Sequence, residues 1–211
     1  MYVSKTLQFF EPRTTNKQQQ TDYYMSSPFG HSIPGYLLAA YESKTLKIHH
    51  AKRILFYVFL ANAPDLDFIP GVLMGMPNLF HHGISHSLGA GVLFSLIIAF
   101  LIGRKDILFK RLFLICFSLY CSHLFLDYVS VDGRPPIGIP LFWPLSNEYL
   151  IFPHPILPPI MHSGLDHATI GQFLHDVFSV HNISVVLLEL IIMVPFILIF
   201  LFVKSRKREK K

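Results

Sequence analysis

Residues 109–128 read FKRLFLICFSLYCSHLFLDY. The stretch matches the ~20 mostly apolar residues that a helix needs to cross a bilayer. Near its far end His123 and Asp127 stand four apart, so both project from one helix face. An apolar helix ending in an imidazole and a carboxylate joins a membrane fold to a chemical site.

Two more segments have spanning length: residues 85–103, SHSLGAGVLFSLIIAFLIG, and residues 184–203, SVVLLELIIMVPFILIFLFV. The last is the most apolar, and it carries a carboxylate, Glu189, and a kink candidate, Pro195. Two shorter apolar helices are expected over 35–46 and 51–63. At 1.5 Å per residue each is under about 20 Å long, too short to cross. They are expected to form a hairpin packed on the bundle or lying at the interface. The expected fold is all-α: an integral membrane bundle of three spanning helices with a short N-terminal helical hairpin. Residues 128–183 do not span. Eight of the fifteen prolines fall between 135 and 160, which predicts an irregular segment, with a short helix within 162–181.

Composition agrees. Of 211 residues, 52% are hydrophobic and 15% charged, with mean hydropathy +0.45. Soluble domains average about 25% charged residues. The net charge of +5 resides wholly in the last eight residues, KSRKREKK. The rest is neutral, which argues against a nucleic-acid partner bound through a distributed basic face. Cys116 and Cys121, five apart on one helix, point in different directions and predict no disulfide. The N-terminal MYVSKTLQFFEPRTT lacks the apolar core of a cleavable signal peptide. Residues 1–28 are expected to be a disordered tail, with Met25 a candidate natural start. Residues 29–203 form one membrane-embedded domain, and 204–211 a basic cytoplasmic tail.

Charge sorts by side. If the helices alternate, the turn at 44–53, the loop at 104–111 and the tail share one side. That side holds fourteen Lys/Arg and three acidic residues, Glu42, Asp106 and Glu209. The other side, 64–86 and 127–183, holds seven acidic residues and only Arg134. Short basic loops stay cytoplasmic, and a basic tail is drawn to anionic lipid. The expected location is therefore the inner or plasma membrane, with the acidic face outward.

Four pieces of chain bring histidine and aspartate to that outer face: His31; Asp65 and Asp67; His81, His82 and His86; and His123 with Asp127. His31 is expected just before the first short helix, and HHGISHS at the opening of the first spanning one. A lone His/Asp pair also occurs at helix ends without a metal, and PDLD is a common turn string. The convergence of all four is what points to a metal. Imidazole and carboxylate without thiolate suit zinc, manganese or iron rather than a structural cysteine site. Ionisable groups near membrane depth are costly and usually functional. His162 and Asp166 are a weaker extra ligand pair. His154, His167, His175 and His181 read as loop residues, and His49 and His50 as surface residues on the inner turn. Trp143 reads as an interface anchor, and Glu189 as a buried group paired within the bundle or protonated. The Asn182-Ile183-Ser184 acceptor abuts the membrane and is discounted. No nucleophile elbow or phosphate-binding glycine loop is present, so an enzyme of this kind would use metal-activated water.

The strings GHSIPGYLLAA (30–40), LANAPDLDFI (60–69), FHHGISHSLGAG (80–91), SHLFLDYVSVDG (122–133) and PLFWPLS (140–146) resemble the YdjM-like family of membrane-bound metal-dependent hydrolases. The resemblance covers roughly 29–147 and more loosely the last helix. His82 stands where Arg is usual in the family, and Ser85 where Thr is usual. The family in turn is distantly similar to the zinc-dependent phospholipase C and single-strand nuclease superfamily, all-helical enzymes with clustered zinc. Its later HxxxE pair is not evident here, so a full three-metal site is not carried over.

Residues and resemblance together name His31, Asp67, His81, His123 and Asp127 as metal ligands. His86 is a ligand or a partner that orients one. Asp65 bridges metals or accepts the proton of the attacking water. The expected cofactor is one to three divalent ions, zinc first and manganese or iron as alternatives. The expected activity is hydrolysis of a phosphoester, with a lipid headgroup in view, at the bilayer surface. The competing class is a metal transporter, sensor or scaffold without hydrolysis. Transporters place their sites near the midplane on broken helices, whereas this cluster falls at helix ends.

Overall fold

The computed structural model describes residues 22–25, 27–42, 45–74, 79–103, 106–133, 135–163 and 178–209. Strand β1 (Asp22–Met25) leads into helices α1 (Pro28–Tyr41) and α2 (His50–Ala61). A 3-10 turn (Ala63–Asp67) and a short helix α3 (Phe68–Leu73) follow. A second 3-10 turn (Ile84–His86) precedes α4 (Leu88–Ile102) and α5 (Asp106–Val129). Strand β2 (Ile160–Ser163) and the long helix α6 (Val180–Glu209) complete the described chain. The fold is helical, with β1 and β2 paired antiparallel as a small ribbon.

Local chemistry sets the helix starts. Ser27 caps α1 by accepting from the Phe29 amide at 3.1 Å, and Pro28 occupies the first turn, where its missing N–H costs nothing. The helix therefore begins seven residues before the expected 35, and His31 lies inside it rather than ahead of it. Ser87 caps α4 by accepting from the Ala90 amide at 3.1 Å. The Leu88 and Gly89 amides reach the carbonyls of Leu141 and Trp143 at 2.9 and 3.2 Å. The proline-dense loop thus satisfies donors that a helix start leaves open.

Helix α5 is the centre of the bundle. Ile115, Cys116 and Leu119 pack with Ala39, Tyr57, Leu60 and Ala61 of the hairpin. Tyr120 and Leu124 pack with Ala63 and Ile139, and Leu126 and Val129 with Leu157. Small residues let backbones close up. A Cβ on Gly35 would lie 2.6 Å from the Tyr57 carbonyl oxygen, so only glycine permits the observed approach of α1 to α2. At the turn between these helices, Arg53 donates to the Ala39 carbonyl at 3.0 Å.

The outer surfaces of α4 and α6 invert the pattern of a water-soluble helix. Gly91, Ser95 and Ala99 of α4 are buried, while Leu93, Ile97 and Phe100 are exposed. In α6, Asn182 and Glu189 are buried, while Leu187, Ile191 and Leu198 are exposed.

Several expectations change. By length and composition, one described helical stretch, Ile107–Val129, could cross a membrane. Leu88–Ile102 and Val180–Pro195 are shorter apolar stretches, so three spans do not follow from helix length alone. HHGISHS does not open α4 as helix; Ser87 starts that helix, and residues 81–86 form a turn and a 3-10 turn. Asp22–Met25 is paired strand, so order begins before residue 29. Residues 130–133 and 135–159 are irregular, joined by isolated bridges at Ser130–Leu157 and Ile139–Leu150. Residues 1–21 and most of the expected helix within 162–181 lie outside the described residues.

Candidate metal centre

Five elements deliver side chains to one end of the bundle. His31 comes from the first turn of α1 and is 2% exposed. Asp65 and Asp67 come from the 3-10 turn after α2, His81 and His82 from the turn before Gly83, and His86 from the 3-10 turn before α4. His123 and Asp127 come from the last two turns of α5.

Asp127 lies between two histidines, its Oδ1 3.2 Å from His31 Nε2 and its Oδ2 3.1 Å from His123 Nε2. His86 Nε2 approaches Asp127 Oδ2 at 3.4 Å and Asp65 Oδ1 at 3.5 Å. Asp65 Oδ1 is also 3.3 Å from His123 Nε2 and 3.9 Å from His81 Nδ1. Asp67 meets His81 Nδ1 at 3.2 Å and His86 Nδ1 at 3.1 Å, and accepts from the Ser85 hydroxyl at 2.6 Å. All seven predicted site residues are therefore brought together.

The orientation of each ring has a cause. His123 Nδ1 donates to the Ala61 carbonyl at 2.8 Å. A carbonyl only accepts, so Nδ1 carries a proton and Nε2 is the nitrogen turned to the carboxylates. His31 stacks on His123 with centroids 3.7 Å apart, and Phe68 stacks on His81 at 4.0 Å. The Tyr120 hydroxyl donates to the Ser85 carbonyl and ties the 3-10 turn to α5.

The buried nitrogens His31 Nδ1, His86 Nε2 and His123 Nε2 make no hydrogen bond of acceptable geometry. Three such atoms in one place are unusual, since buried polar groups are normally satisfied. Burial and the neighbouring His123 hold His31 below the usual imidazole range, against the pull of Asp127. Burial lowers His81 to about 4, although Asp67 opposes it. For Asp65 and Asp67 burial works against the charge, but the surrounding histidines outweigh it and keep both carboxyls well below their usual range. Burial opposes charge on His86, but Asp65, Asp67 and Asp127 hold it up at about 9. The carboxylates are thus ionised as a divalent cation requires, and a cation bound at His86 would displace its proton.

Ligand atoms of His31, His123 and Asp127 lie within 4.8 Å of one another, as do those of Asp65, His86 and His123. Those of His81, His82 and His86 form a third such group. The donors are all nitrogen and oxygen, so the arrangement could hold a metal ion. Asp65 is the most open member, with its side chain 18% exposed.

His82 and Asp132 were not among the predicted site residues. They meet at 3.2 Å, and Asp132 also accepts from the Gly138 amide at 2.8 Å. His82 stands in HHGISHS beside the predicted ligands His81 and His86, with no predicted role of its own. The aspartate at 132 in VSVDG carried no signal beyond its residue type. Elsewhere, His49 accepts from the Ala51 amide at the start of α2, and His154 is exposed. His181 contacts the Pro159 carbonyl at 3.2 Å. Asp166, His167 and His175 lie outside the described residues, as does the side chain of His162. Glu189 is buried and accepts from the Ser27 amide at 3.3 Å, which places a carboxylate at the start of α1. Asn182 is buried, which agrees with discounting it as a glycosylation acceptor.

An apolar exterior around a buried histidine–aspartate cluster defines a helical membrane-associated protein able to hold a metal ion. The chain belongs to the YdjM inner membrane protein family, whose family model matches residues 25–207. Neither the curated proteins nor the solved structures contain a match to it.

Proposed function

We propose that the protein is a multi-pass inner-membrane hydrolase that cleaves a phosphoester with the help of divalent metal. The observation that supports this reading is the convergence of His31, Asp65, Asp67, His81, His86, His123 and Asp127, with buried imidazole nitrogens lacking hydrogen bonds. His31, His123 and Asp127 would hold one cation, with His86 and Asp65 beside it. A bound divalent cation supplies Lewis acidity and activates water for attack. Asp65 is the most open of the carboxylates, which suits it to take the proton of that water. Asp67, fixed by Ser85 and His81, orients His86. His31 and His123 stack on each other, which holds both rings with Nε2 toward Asp127. Zinc fits this donor set first, with manganese and iron as alternatives.

The inverted surfaces of α4 and α6 support three membrane crossings, by α4, α5 and α6. The basic turn at 44–53, the loop at 104–111 and the C-terminal end then lie in the cytoplasm, with the cluster facing out. A headgroup at the bilayer surface is the nearest phosphoester to such a site.

The test is turnover by detergent-purified, metal-loaded protein on phosphodiester, phosphomonoester and phospholipid substrates. Wild type is expected to hydrolyse one class. Asp67→Asn and His123→Ala are expected to lose about 10–100-fold or more in rate, the range in which loss of a metal-positioning group begins. Metal bound without turnover on any of these esters would replace this reading with a sensor or scaffold.

A further inference from the structure

We propose that His82 and Asp132 build a second cation position beside the one formed by His31, His123 and Asp127. The inference rests on the metal-centre reading and extends it to residues with no other assigned role.

His82 is 8% exposed, and its Nε2 makes no hydrogen bond. Its other nitrogen, Nδ1, faces Asp132 Oδ2 at 3.2 Å. Asp132 accepts a second bond from the Gly138 amide at 2.8 Å, so the carboxylate is itself held in place. A carboxylate that fixes one imidazole nitrogen and leaves the other bare is the arrangement that stands behind metal-ligating histidines. A histidine kept only for packing would not need its free nitrogen buried at a cost in hydrogen bonding.

The backbone points the same way. His82 has φ of 59°, in the left-handed region that L residues other than Asn, Asp and His rarely adopt. That conformation turns the ring inward beside His81 and His86, with ring centroids 4.3 and 4.9 Å away. Ligand atoms of these three histidines lie within 4.8 Å of one another.

Two positions follow from the sharing pattern. His82 belongs to neither the His31/His123/Asp127 group nor the Asp65/His86/His123 group. His86 faces both sides, its Nε2 toward Asp65 and Asp127 and its Nδ1 toward Asp67. A neutral imidazole donates one lone pair, so His86 serves one cation, and the other must draw on His81 and His82. Asp65 Oδ1, between His123 and His81, is placed to touch both positions.

The experiment is equilibrium dialysis of the full-length, detergent-purified protein against zinc alone, with bound metal counted by elemental analysis. Wild type, His82→Gln, Asp132→Asn and His123→Ala are compared, with helical content checked by circular dichroism. Wild type is expected to hold about two zinc ions per chain and His82→Gln about one. Asp132→Asn is expected to retain the tighter ion and to weaken the second by roughly 10–100-fold. That variant keeps the side-chain shape and covers the case in which His82→Gln fails to fold. Zinc content and affinity unchanged in Asp132→Asn and in folded His82→Gln, with zinc reduced in His123→Ala, would overturn this proposal alone. Wild type that binds no zinc would overturn it together with the metal-centre reading.

Discussion

His123 is held by the main chain of another helix: its Nδ1 donates to the Ala61 carbonyl at 2.8 Å, across 62 residues of sequence. The bond uses a carbonyl that the C-terminal end of α2 leaves open, and in return α2 fixes which nitrogen of a deeply buried imidazole is bare. Fold and chemistry share this one contact.

Replacing His123 with alanine therefore has two effects. It removes an imidazole from the cluster and leaves the Ala61 carbonyl unpaired. The second effect alone costs about 1–3 kcal/mol. Denaturant unfolding of metal-free wild type and His123→Ala in the same detergent is expected to show that difference. Equal stability would mean that the bond to Ala61 contributes nothing.

Gly35 governs the α1–α2 contact that presents His31. A Cβ there meets the Tyr57 carbonyl oxygen at 2.6 Å and the Val58 Cα at 2.8 Å. Both atoms are backbone and cannot rotate away. Gly35→Ala is expected to destabilise the fold by about 1–3 kcal/mol, as overpacking does, and to weaken metal binding as α1 shifts. The thermal midpoint and metal affinity of the variant check both parts.

The four histidine- and aspartate-bearing pieces were legible in the sequence because ligand types are visible as residue types. Their places at or beside the ends of α1, α2, α4 and α5 bring them to one end of the bundle. Other features depend on geometry that spacing does not reveal. His82 joins the cluster only through a left-handed turn and a partner 50 residues away. The roles of the Ala61 and Ser85 carbonyls are played by main-chain atoms, which any residue supplies. The early start of α1 was encoded in Ser27-Pro28, but the apolar pattern begins later and drew the expected boundary to 35. Helix lengths did not settle the number of spans; the reversed faces of α4 and α6 emerged only once the bundle was assembled.

Glu189 couples α6 to the site without touching a predicted ligand. Its carboxylate accepts from the Ser27 amide, and a Cβ on Gly30 would lie 3.1 Å from its Oε2. Acidic groups stabilise a helix N-terminus by about 0.3–2 kcal/mol, more where partly buried. Glu189→Ala is expected to lower stability by an amount in that range or above and to loosen His31. Glu189→Gln, which retains an acceptor, is expected to recover most of the loss. Equal losses in the two variants would argue against the capping role.

Membrane orientation is open to direct labelling. Asn147 lies in the exposed loop after Trp143, and Ile107 in the first turn of α5. In a background with Cys116 and Cys121 replaced by serine, Asn147→Cys is expected to react with an impermeant thiol reagent added outside cells. Ile107→Cys is expected to react only after the membrane is opened. The reverse pattern would invert the proposed topology.

A metal ion held by the histidine–aspartate cluster would travel with the protein through purification. Elemental analysis of the protein purified in detergent without added metal tests it most directly. At least about one zinc, manganese or iron ion per chain is expected, with a lower melting temperature once a chelator has removed it. Protein that carries no stoichiometric metal, takes none up on dialysis and melts at the same temperature with and without chelator would contradict metal binding by the cluster.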